Sequence, residues 1–206
     1  MTHVRNRAEV AAEPDFTERV LGAVLEMCRE QRYEELTLAA AARRSGAAED
    51  ELTARWPAKN LLVMEALLHA VAPHMKFPDT GDIAADLEAQ LAAVIRLFAD
   101  PGIGPHLTAV IADVHADERL AAAFRKKVYG PNRTVARARF EVAQRQGQLR
   151  QDIDLDTAVD LVFGPIWFRL LLGTSPLTAE LATHITDHAL AGLARAGEDD
   201  KGYEAP

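Results

Sequence analysis

The stretch LTLAAAARRSGAAEDELTARWPAKNLLVMEAL, residues 36–67, decides the fold of this chain. Its segments rich in Ala, Leu, Glu and Arg predict helices, the first of which begins at Thr37. Ser45-Gly46 ends that helix, because glycine readily adopts the left-handed conformation that a tight turn requires. A short helix from Glu49 to Arg55 follows, and Pro57 suits the first turn of the next one. Two helices joined by so short a turn have the dimensions of a helix-turn-helix.

The second helix of this motif begins with three acidic residues, Glu49, Asp50 and Glu51. A carboxylate held about 4 Å from a DNA phosphate costs on the order of 1 kcal/mol even at high dielectric constant. Three interpretations stay open. The acids stabilise the first turn through the helix dipole, with Asp50 or Glu51 accepting from backbone N–H groups that Ala48 cannot satisfy. They accept a hydrogen bond from cytosine N4. Or the motif has lost DNA binding.

The overall composition restricts the class of protein. The 206 residues carry a net charge of −8, and residues 1–76, with ten basic and twelve acidic residues, account for −2 of it, which leaves −6 for the remainder. Neither part has the basic surplus that promotes binding to nucleic acid. No apolar run reaches the roughly 18–20 residues of a membrane span, no signal-peptide core is found, and Cys28 is the only cysteine. We therefore expect a cytoplasmic protein without a disulfide or a membrane segment.

The sequence outside the quoted stretch also predicts helices. One spans 15–31, where Asp15 and Glu18 have the spacing of a capping box. Longer helices are predicted over 82–99, 103–114, 117–146, 156–172 and 178–196, and Pro131 predicts a kink near Tyr129.

Proline and glycine cluster at residues 73–81 and indicate a domain boundary. We therefore predict a disordered N-terminal arm (1–13), a helix-turn-helix domain (14–76), a second helical domain (77–196) and a disordered tail (197–206).

The register of the motif resembles the N-terminal domain of the TetR/AcrR family of transcriptional regulators. The match covers residues 16 to about 70, and its positions are Tyr33, Thr37, Ala42, Gly46, Leu52, Trp56, Pro57, Lys59 and Leu62. The segment QRQGQLRQDIDLDTAVDLVFGPIWFRLLLG, residues 144–173, is similar to the penultimate helix region of a TetR-type C-terminal ligand-binding domain. Its matching positions are Gly147, Leu149, Asp152, Asp154, Gly164 and Pro165.

The resemblance implies an all-α fold, in which a three-helix helix-turn-helix domain is joined by a fourth helix to a helical bundle for dimerisation and ligand binding. It implies a homodimer whose last two helices form a four-helix bundle with their partner copies. Such a dimer binds a near-palindromic double-stranded operator as a repressor, with recognition helices about 34–36 Å apart or somewhat wider. A small apolar effector in the C-terminal core would change that separation. No cofactor is implied.

The resemblance also assigns residues to the DNA-binding surface. They are Thr37, Arg43, Arg44, Ala48, Glu49, Asp50, Thr53, Arg55 and Lys59. Ala48 stands where the family commonly has a hydroxyl residue, and Thr53 stands where it has a phosphate-contacting tyrosine. An alternative therefore stays open, namely a TetR-like dimer whose degenerate acidic helix does not bind operator DNA. Such a dimer would serve as a ligand-binding or protein-interaction module.

Two further sets of residues are expected in the C-terminal half. Ligand pockets are mainly apolar with a few polar groups, and the predicted pocket residues are Phe98, His106, Val110, Phe124, Tyr129, Phe163 and Trp167. The last two helices carry more apolar surface than a monomer leaves exposed, which predicts a dimer interface. Its predicted residues are Leu161, Ile166, Leu170, Leu181, Ile185 and His188.

No motif indicates an enzyme. The sequence contains no glycine-rich phosphate loop, no nucleophile elbow and no metal-binding box. His184 and His188 are four residues apart on one predicted helix, but two ligands do not make a metal site, and a polar stripe at the dimer interface is the simpler interpretation. We therefore predict neither catalysis nor a bound metal.

Overall fold

The computed structural model describes residues 15–74 and 76–193, and within these ranges the chain is helical with no extended strand. The helices are α1 (Phe16–Glu30), α2 (Leu38–Ser45), α3 (Glu49–Arg55), α4 (Lys59–Val71), α5 (Ile83–Phe98), α6 (Gly104–Val114), α7 (Glu118–Phe124), α8 (Gly130–Arg145), α9 (Leu155–Leu172) and α10 (Glu180–Leu193). Two short 3-10 turns, Tyr33–Glu35 and Ala72–His74, and a π-helical segment, Arg125–Tyr129, complete the elements. The predicted arm and tail, and residues 194–196 of the last predicted helix, lie outside the described residues.

Local chemistry sets the limits of α2 and α3 as predicted. The hydroxyl of Thr37 accepts a hydrogen bond from the backbone N–H of Ala40 at 3.1 Å and so caps α2. Gly46 follows α2 with φ at 67°, the left-handed conformation that favours glycine. Helix α3 then runs from Glu49 to Arg55.

Two predictions about helix starts are wrong. Asp15 precedes α1 without a side-chain capping hydrogen bond, and only its backbone carbonyl accepts, from the N–H of Arg19 at 3.0 Å. The predicted capping box therefore does not form. Pro57 lies outside α4, because Ala58 stays extended, with φ −146° and ψ 149°, and the helix begins only at Lys59.

The predicted break near Tyr129 takes the form of a π-helical segment between α7 and α8. Pro131 cannot donate the backbone hydrogen bond that a helix expects at its position. A π-helical widening is one way in which a helix accommodates such a loss. The segment bears on function because Val128 and Tyr129 line the cavity described below.

Two buried anchors hold α3 in place. Leu52 and Trp56 are 0% and 2% exposed, and Trp56 stacks on Phe16 of α1 with ring centroids 6.1 Å apart. Helix α1 packs in turn against α2 and α4. The helix-turn-helix therefore has a fixed orientation on the start of α4.

Helix α4 also packs against the second half of the chain, through α6 and α7. Lys127 in the π-helical segment donates to the carboxylate of Glu65 on α4 at 2.7 Å. The hydroxyl of Tyr33 donates to Asp113 on α6 at 2.6 Å. The second half is therefore joined to the helix-turn-helix half through α4 and these polar contacts.

Candidate functional site

The first turn of α3 is acidic and open to solvent. Glu49, Asp50 and Glu51 are all exposed, and Ala48, the N-cap residue, offers no side-chain hydrogen bond. Asp50 accepts a hydrogen bond from the backbone N–H of Glu51 at 2.9 Å. The helix-chemistry interpretation therefore accounts for Asp50, whereas the carboxylates of Glu49 and Glu51 make no hydrogen bond with any described residue.

Thr53 is turned onto its own helix. Its hydroxyl donates to the backbone carbonyl of Glu49 and lies 3.3 Å from that of Asp50. Such back-bonding is common for Thr inside a helix. The side chain that replaces the family's tyrosine is thus too short and too well bonded to act as a phosphate ligand in the same manner.

The structure adds ion-pair partners for Arg44. Its guanidinium forms a two-point ion pair with Glu30, at 2.7 and 3.0 Å, and a further contact with Glu26 at 3.2 Å. The hydrogen bond from Arg44 holds the pKa of Glu30 below its ordinary value. The charge of Arg44 is therefore compensated by α1, which the sequence did not indicate because the partners lie 14 and 18 residues away.

The other basic residues predicted to contact DNA differ in how many contacts they make with the rest of the chain. Lys59 donates to the backbone carbonyl of Tyr33 at 3.0 Å, with its ammonium group 4.3 Å from the ring centroid. Arg55 lies 3.9 Å from Glu65 and over the ring of Trp56. Arg43 is exposed and forms no ion pair within the described part of the chain.

Arg19 of α1 is a cation beside the motif that the sequence analysis missed. Its Nε donates to the carbonyl of Ser45, the last residue of α2, at 3.1 Å. The side chain is otherwise exposed. No local pattern could have found it, because 26 residues separate it from the turn.

A cavity of about 330 Å³ lies between α4, α5, α6, α8 and α9. Five of the seven predicted pocket residues line it, namely Phe98, Phe124, Tyr129, Phe163 and Trp167. The rings of Phe98 and Trp167 pack at 4.8 Å. Further lining residues on α4 and α5 were not predicted, namely Met64, Leu67, Leu68, Val71, Gln90, Val94 and Leu97.

His106 and Val110 were predicted in the pocket and do not line it. The ring of His106 is 3% exposed, and its Nε2 lies 3.1 Å from the backbone carbonyl of Gln31 at the end of α1. Burial lowers the pKa of His106, so the neutral form is favoured there. Val110 is fully buried in the core. The contact of His106 therefore joins α6 to the end of α1.

The wall of the cavity is apolar apart from a few groups. Tyr129, Asn132, Arg133 and Asp160 lie on its α8–α9 side, where Tyr129 is half exposed. Arg133 pairs with Asp160 and with Asp156, and its pKa is raised chiefly by the hydrogen bond to Asp160. The cavity therefore offers no uncompensated cation to a ligand from this side.

A second surface of interest runs along α9. Large apolar side chains are exposed there, with Leu161 at 58%, Phe168 at 57%, Leu171 at 39% and Leu172 at 63%. Leu161, Phe168 and Leu172 recur at helical spacing and share one face. Among the predicted dimer residues, His188 is also exposed and Leu170 is half buried.

Three of the predicted dimer residues are instead core residues of one protomer. Ile166, Leu181 and Ile185 are 0%, 5% and 7% exposed in the single chain, so they have almost no surface to offer to a partner. They pack where α5, α9 and α10 meet. The prediction did not separate the inner face of each helix from its outer face.

Comparisons with known proteins agree with this architecture. Residues 77–189 match the family model described as tetracyclin repressor-like, C-terminal domain. The HTH-type transcriptional regulator AqdR of Rhodococcus erythropolis is 29% identical over 152 residues, which cover 74% of this chain and 72% of AqdR. The uncharacterized HTH-type transcriptional regulator YdeS of Bacillus subtilis (strain 168) is 24% identical over 174 residues, or 84% and 87% of the two chains. The crystal structure of the TetR family transcription regulator SCO0332 superposes with a TM-score of 0.76 at 34% identity, covering 87% of this chain and 98% of that one.

The fold and these matches define a transcriptional regulator of the helix-turn-helix type. Because the family model covers more than half of the chain, and SCO0332 shares 34% identity over nearly all of its length, the chain belongs to the TetR family. The named relatives are regulators rather than enzymes. In the ranges that the structure describes, none of the helices combines the length and the apolarity needed to cross a bilayer.

Proposed function

We propose that the chain acts in the cytoplasm as a homodimeric repressor, which binds a near-palindromic operator through α2 and α3 and releases it when a small apolar molecule fills the cavity. We assign residues 14–76 to DNA binding and residues 77–196 to ligand binding and dimerisation. The observation that carries the proposal is the double role of α4. This helix supports the helix-turn-helix at its start and lines the cavity with Met64, Leu67, Leu68 and Val71.

The coupling follows from packing. A ligand in the cavity shifts an equilibrium only if it contacts the two states differently. Four side chains of α4 face the cavity, so a ligand that displaces this helix also displaces α3. Glu65 of α4 contacts both Arg55 at the end of α3 and Lys127, whose neighbours Val128 and Tyr129 line the cavity. In a dimer, a small rotation of α4 changes the distance between the two recognition helices, which must match one turn of DNA.

Dimerisation is supported by the exposed apolar face of α9. Contiguous apolar patches of this kind mark interaction surfaces on soluble proteins. We propose that Leu161, Phe168 and Leu172, together with the exposed face of α10 at His184 and His188, pack against the same surface of a second copy. An interface of this kind is isologous and gives a two-fold dimer, which fits a palindromic operator.

The acidic first turn of α3 fits this function if it reads bases. Glu49 is exposed and makes no side-chain hydrogen bond with a described residue, so its carboxylate is available to a cytosine N4 amino group. Arg43 and Lys59 flank the motif and supply phosphate contacts. Binding then depends more on base recognition than on charge.

The test is selection of randomised duplexes by the purified protein at low and near-physiological salt, followed by titration of the enriched sequence. We expect a near-palindrome, bound in the nanomolar range. Arg43→Ala should weaken its binding and reduce the salt slope by about one unit, whereas Arg96→Ala, which removes an exposed arginine from α5, should leave both unchanged. Lack of enrichment at both salts by a folded dimer would contradict the proposal and favour a ligand-binding or protein-interaction module.

A further inference from the structure

Gln90 of α5 is a buried polar group on the cavity wall. Its side chain is 4% exposed and lines the cavity together with Val94 and Phe98 of the same helix. The side-chain amide forms no hydrogen bond with any residue that the structure describes. Asp86, one turn earlier, is equally buried but is fully engaged by Thr80 and Arg139. Gln90 is therefore the polar group of this helix that is left without a partner.

Burial makes this arrangement informative. Buried polar groups in native proteins have partners as a rule, and for a group that opens onto a cavity the partner is water or a bound molecule. The amide offers both a donor and an acceptor. A bound molecule that supplies a complementary atom would satisfy it.

The other polar groups of the cavity differ from Gln90. Tyr129 is 50% exposed, Asn132 is half buried, and Arg133 is already paired with Asp160 and Asp156. They lie on the more exposed α8–α9 side, whereas the remaining lining is aliphatic or aromatic. The cavity thus combines one enclosed neutral hydrogen-bonding group with apolar walls and no free positive charge.

We propose that the cavity binds an uncharged, mostly apolar molecule with one carbonyl or hydroxyl group, which pairs with the side-chain amide of Gln90. This proposal rests on the effector role proposed above and defines the chemistry of the effector. The 330 Å³ cavity lies at the lower end of the roughly 300–1,000 Å³ range of small-molecule sites, which suits a compact molecule. A carboxylate is disfavoured, because no unpaired cation faces it and the desolvation of a charge is costly.

The experiment is isothermal calorimetry of the full-length protein with naphthalene, 2-acetylnaphthalene and 2-naphthoate. The last two probes have nearly the same shape. The carbonyl carbon bears a methyl group in 2-acetylnaphthalene and an anionic oxygen in 2-naphthoate. We expect 2-acetylnaphthalene to bind about 2- to 10-fold more tightly than naphthalene, the range for one neutral hydrogen bond. We expect 2-naphthoate to bind at least about tenfold more weakly than the ketone.

The variant Gln90→Leu isolates the role of the amide. We expect it to abolish the preference for the ketone over naphthalene while naphthalene binds as well as before or better. Gln90→Met serves the same purpose if the leucine variant fails to fold. The matched control Asn132→Leu removes an amide from the more exposed side of the same cavity and should keep the preference.

Three results would overturn the inference: no binding of the ketone to the wild-type protein, an unchanged ketone preference in a folded Gln90 variant, or equal affinity for 2-naphthoate. The calorimetry contains no DNA, so it is independent of the operator selection. An enriched operator together with failed calorimetry would refute the assigned ligand chemistry alone. Successful calorimetry without an operator would refute the DNA-binding proposal and leave Gln90 as a ligand contact.

Discussion

Removing the carboxylate of Asp86 should be among the most destabilising single changes in the buried contact between α5 and α8. Asp86 is 0% exposed and accepts from Nη2 of Arg139 at 2.6 Å, from Nε of Arg139 at 2.9 Å, and from the backbone and hydroxyl of Thr80. Breaking a buried pair by removing one partner costs about 3–5 kcal/mol, because the other charge is left uncompensated. Asp79 stays 3.6 Å from Arg139 and compensates part of that charge, so we place Asp86→Ala near the lower limit, at about 3 kcal/mol.

Chemical and thermal unfolding at fixed protein concentration measure this loss. For a chain of this size, about 3 kcal/mol corresponds to a fall in Tm of roughly 6–12 °C. The double variant Asp86→Ala/Arg139→Met should lose less than the sum of the two single variants, because each single change strands the other partner. Asp152→Ala, which removes an exposed ion pair with Arg150 at 2.7 Å, is the matched control and should change little. Equal effects of Asp86→Ala and Asp152→Ala would refute the reasoning.

The same pair predicts a dependence on pH. Burial acts to raise the pKa of Asp86, but the hydrogen bonds from Thr80 and Arg139 outweigh it and hold the pKa below its ordinary value. A carboxyl group with a lowered folded-state pKa contributes stability above its unfolded pKa of about 3.9 and loses it as the pH falls through the folded value. The stability difference between the wild type and Asp86→Ala should therefore be constant near neutral pH and shrink below about pH 4. A difference that grows on acidification would contradict the sign.

Three further predictions concern function. Phe168→Asp should convert the proposed dimer to a monomer in sedimentation experiments, because a charge on the exposed apolar face of α9 opposes the burial of that face in an interface. Ala112→Asp, at an exposed position of α6, should leave the dimer intact. Glu65→Gln should weaken the coupling between ligand and operator, because it removes the charge that pairs α4 with Arg55 of α3 and with Lys127 beside the cavity. The coupling is measured as the ratio of operator affinities with and without 2-acetylnaphthalene. Glu18→Gln on α1 is the control, and an unchanged ratio in the Glu65 variant would exclude this link. Glu49→Gln should relax selection at one base pair of the operator by about tenfold and raise affinity for unrelated duplexes, so an unaltered selection profile would exclude base reading by this carboxylate.

Features set by neighbours in the sequence were predictable. The limits of α3 follow from Ala48-Glu49 and Trp56, the cap of α2 from Thr37, and the turn from Gly46. The register of the apolar anchors is equally local, because helical period determines which residues face the core. The family resemblance rests on this same stretch, which explains why the fold was foreseeable.

Features set by distant parts of the chain were not predictable. Arg44 pairs with α1, and His106 contacts the end of α1 from 75 residues away rather than lining the cavity. The division of α9 into an inner face at Ile166 and an outer face at Phe168 depends on which helices pack against it. In a helix that is apolar almost all round, the hydrophobic period alone does not separate core from interface.

The acidic start of α3 is easier to reconcile with DNA binding once the ion pairs of the whole surface are considered. Arg44 is neutralised by α1 and Arg55 approaches Glu65, so the motif is less basic than its sequence suggests. Asp50 is at the same time committed to the backbone of its own helix. On the described part of the motif, the charges that remain for DNA are few and of both signs, and they attract the polyanion only weakly. A surface of this kind gains little from nonspecific contacts, and its discrimination between sequences must come from hydrogen bonds to base edges. Loss of phosphate contacts weakens specific and nonspecific binding about equally, so the ratio of the two affinities, which determines operator choice, rests on the base contacts of the proposed complex.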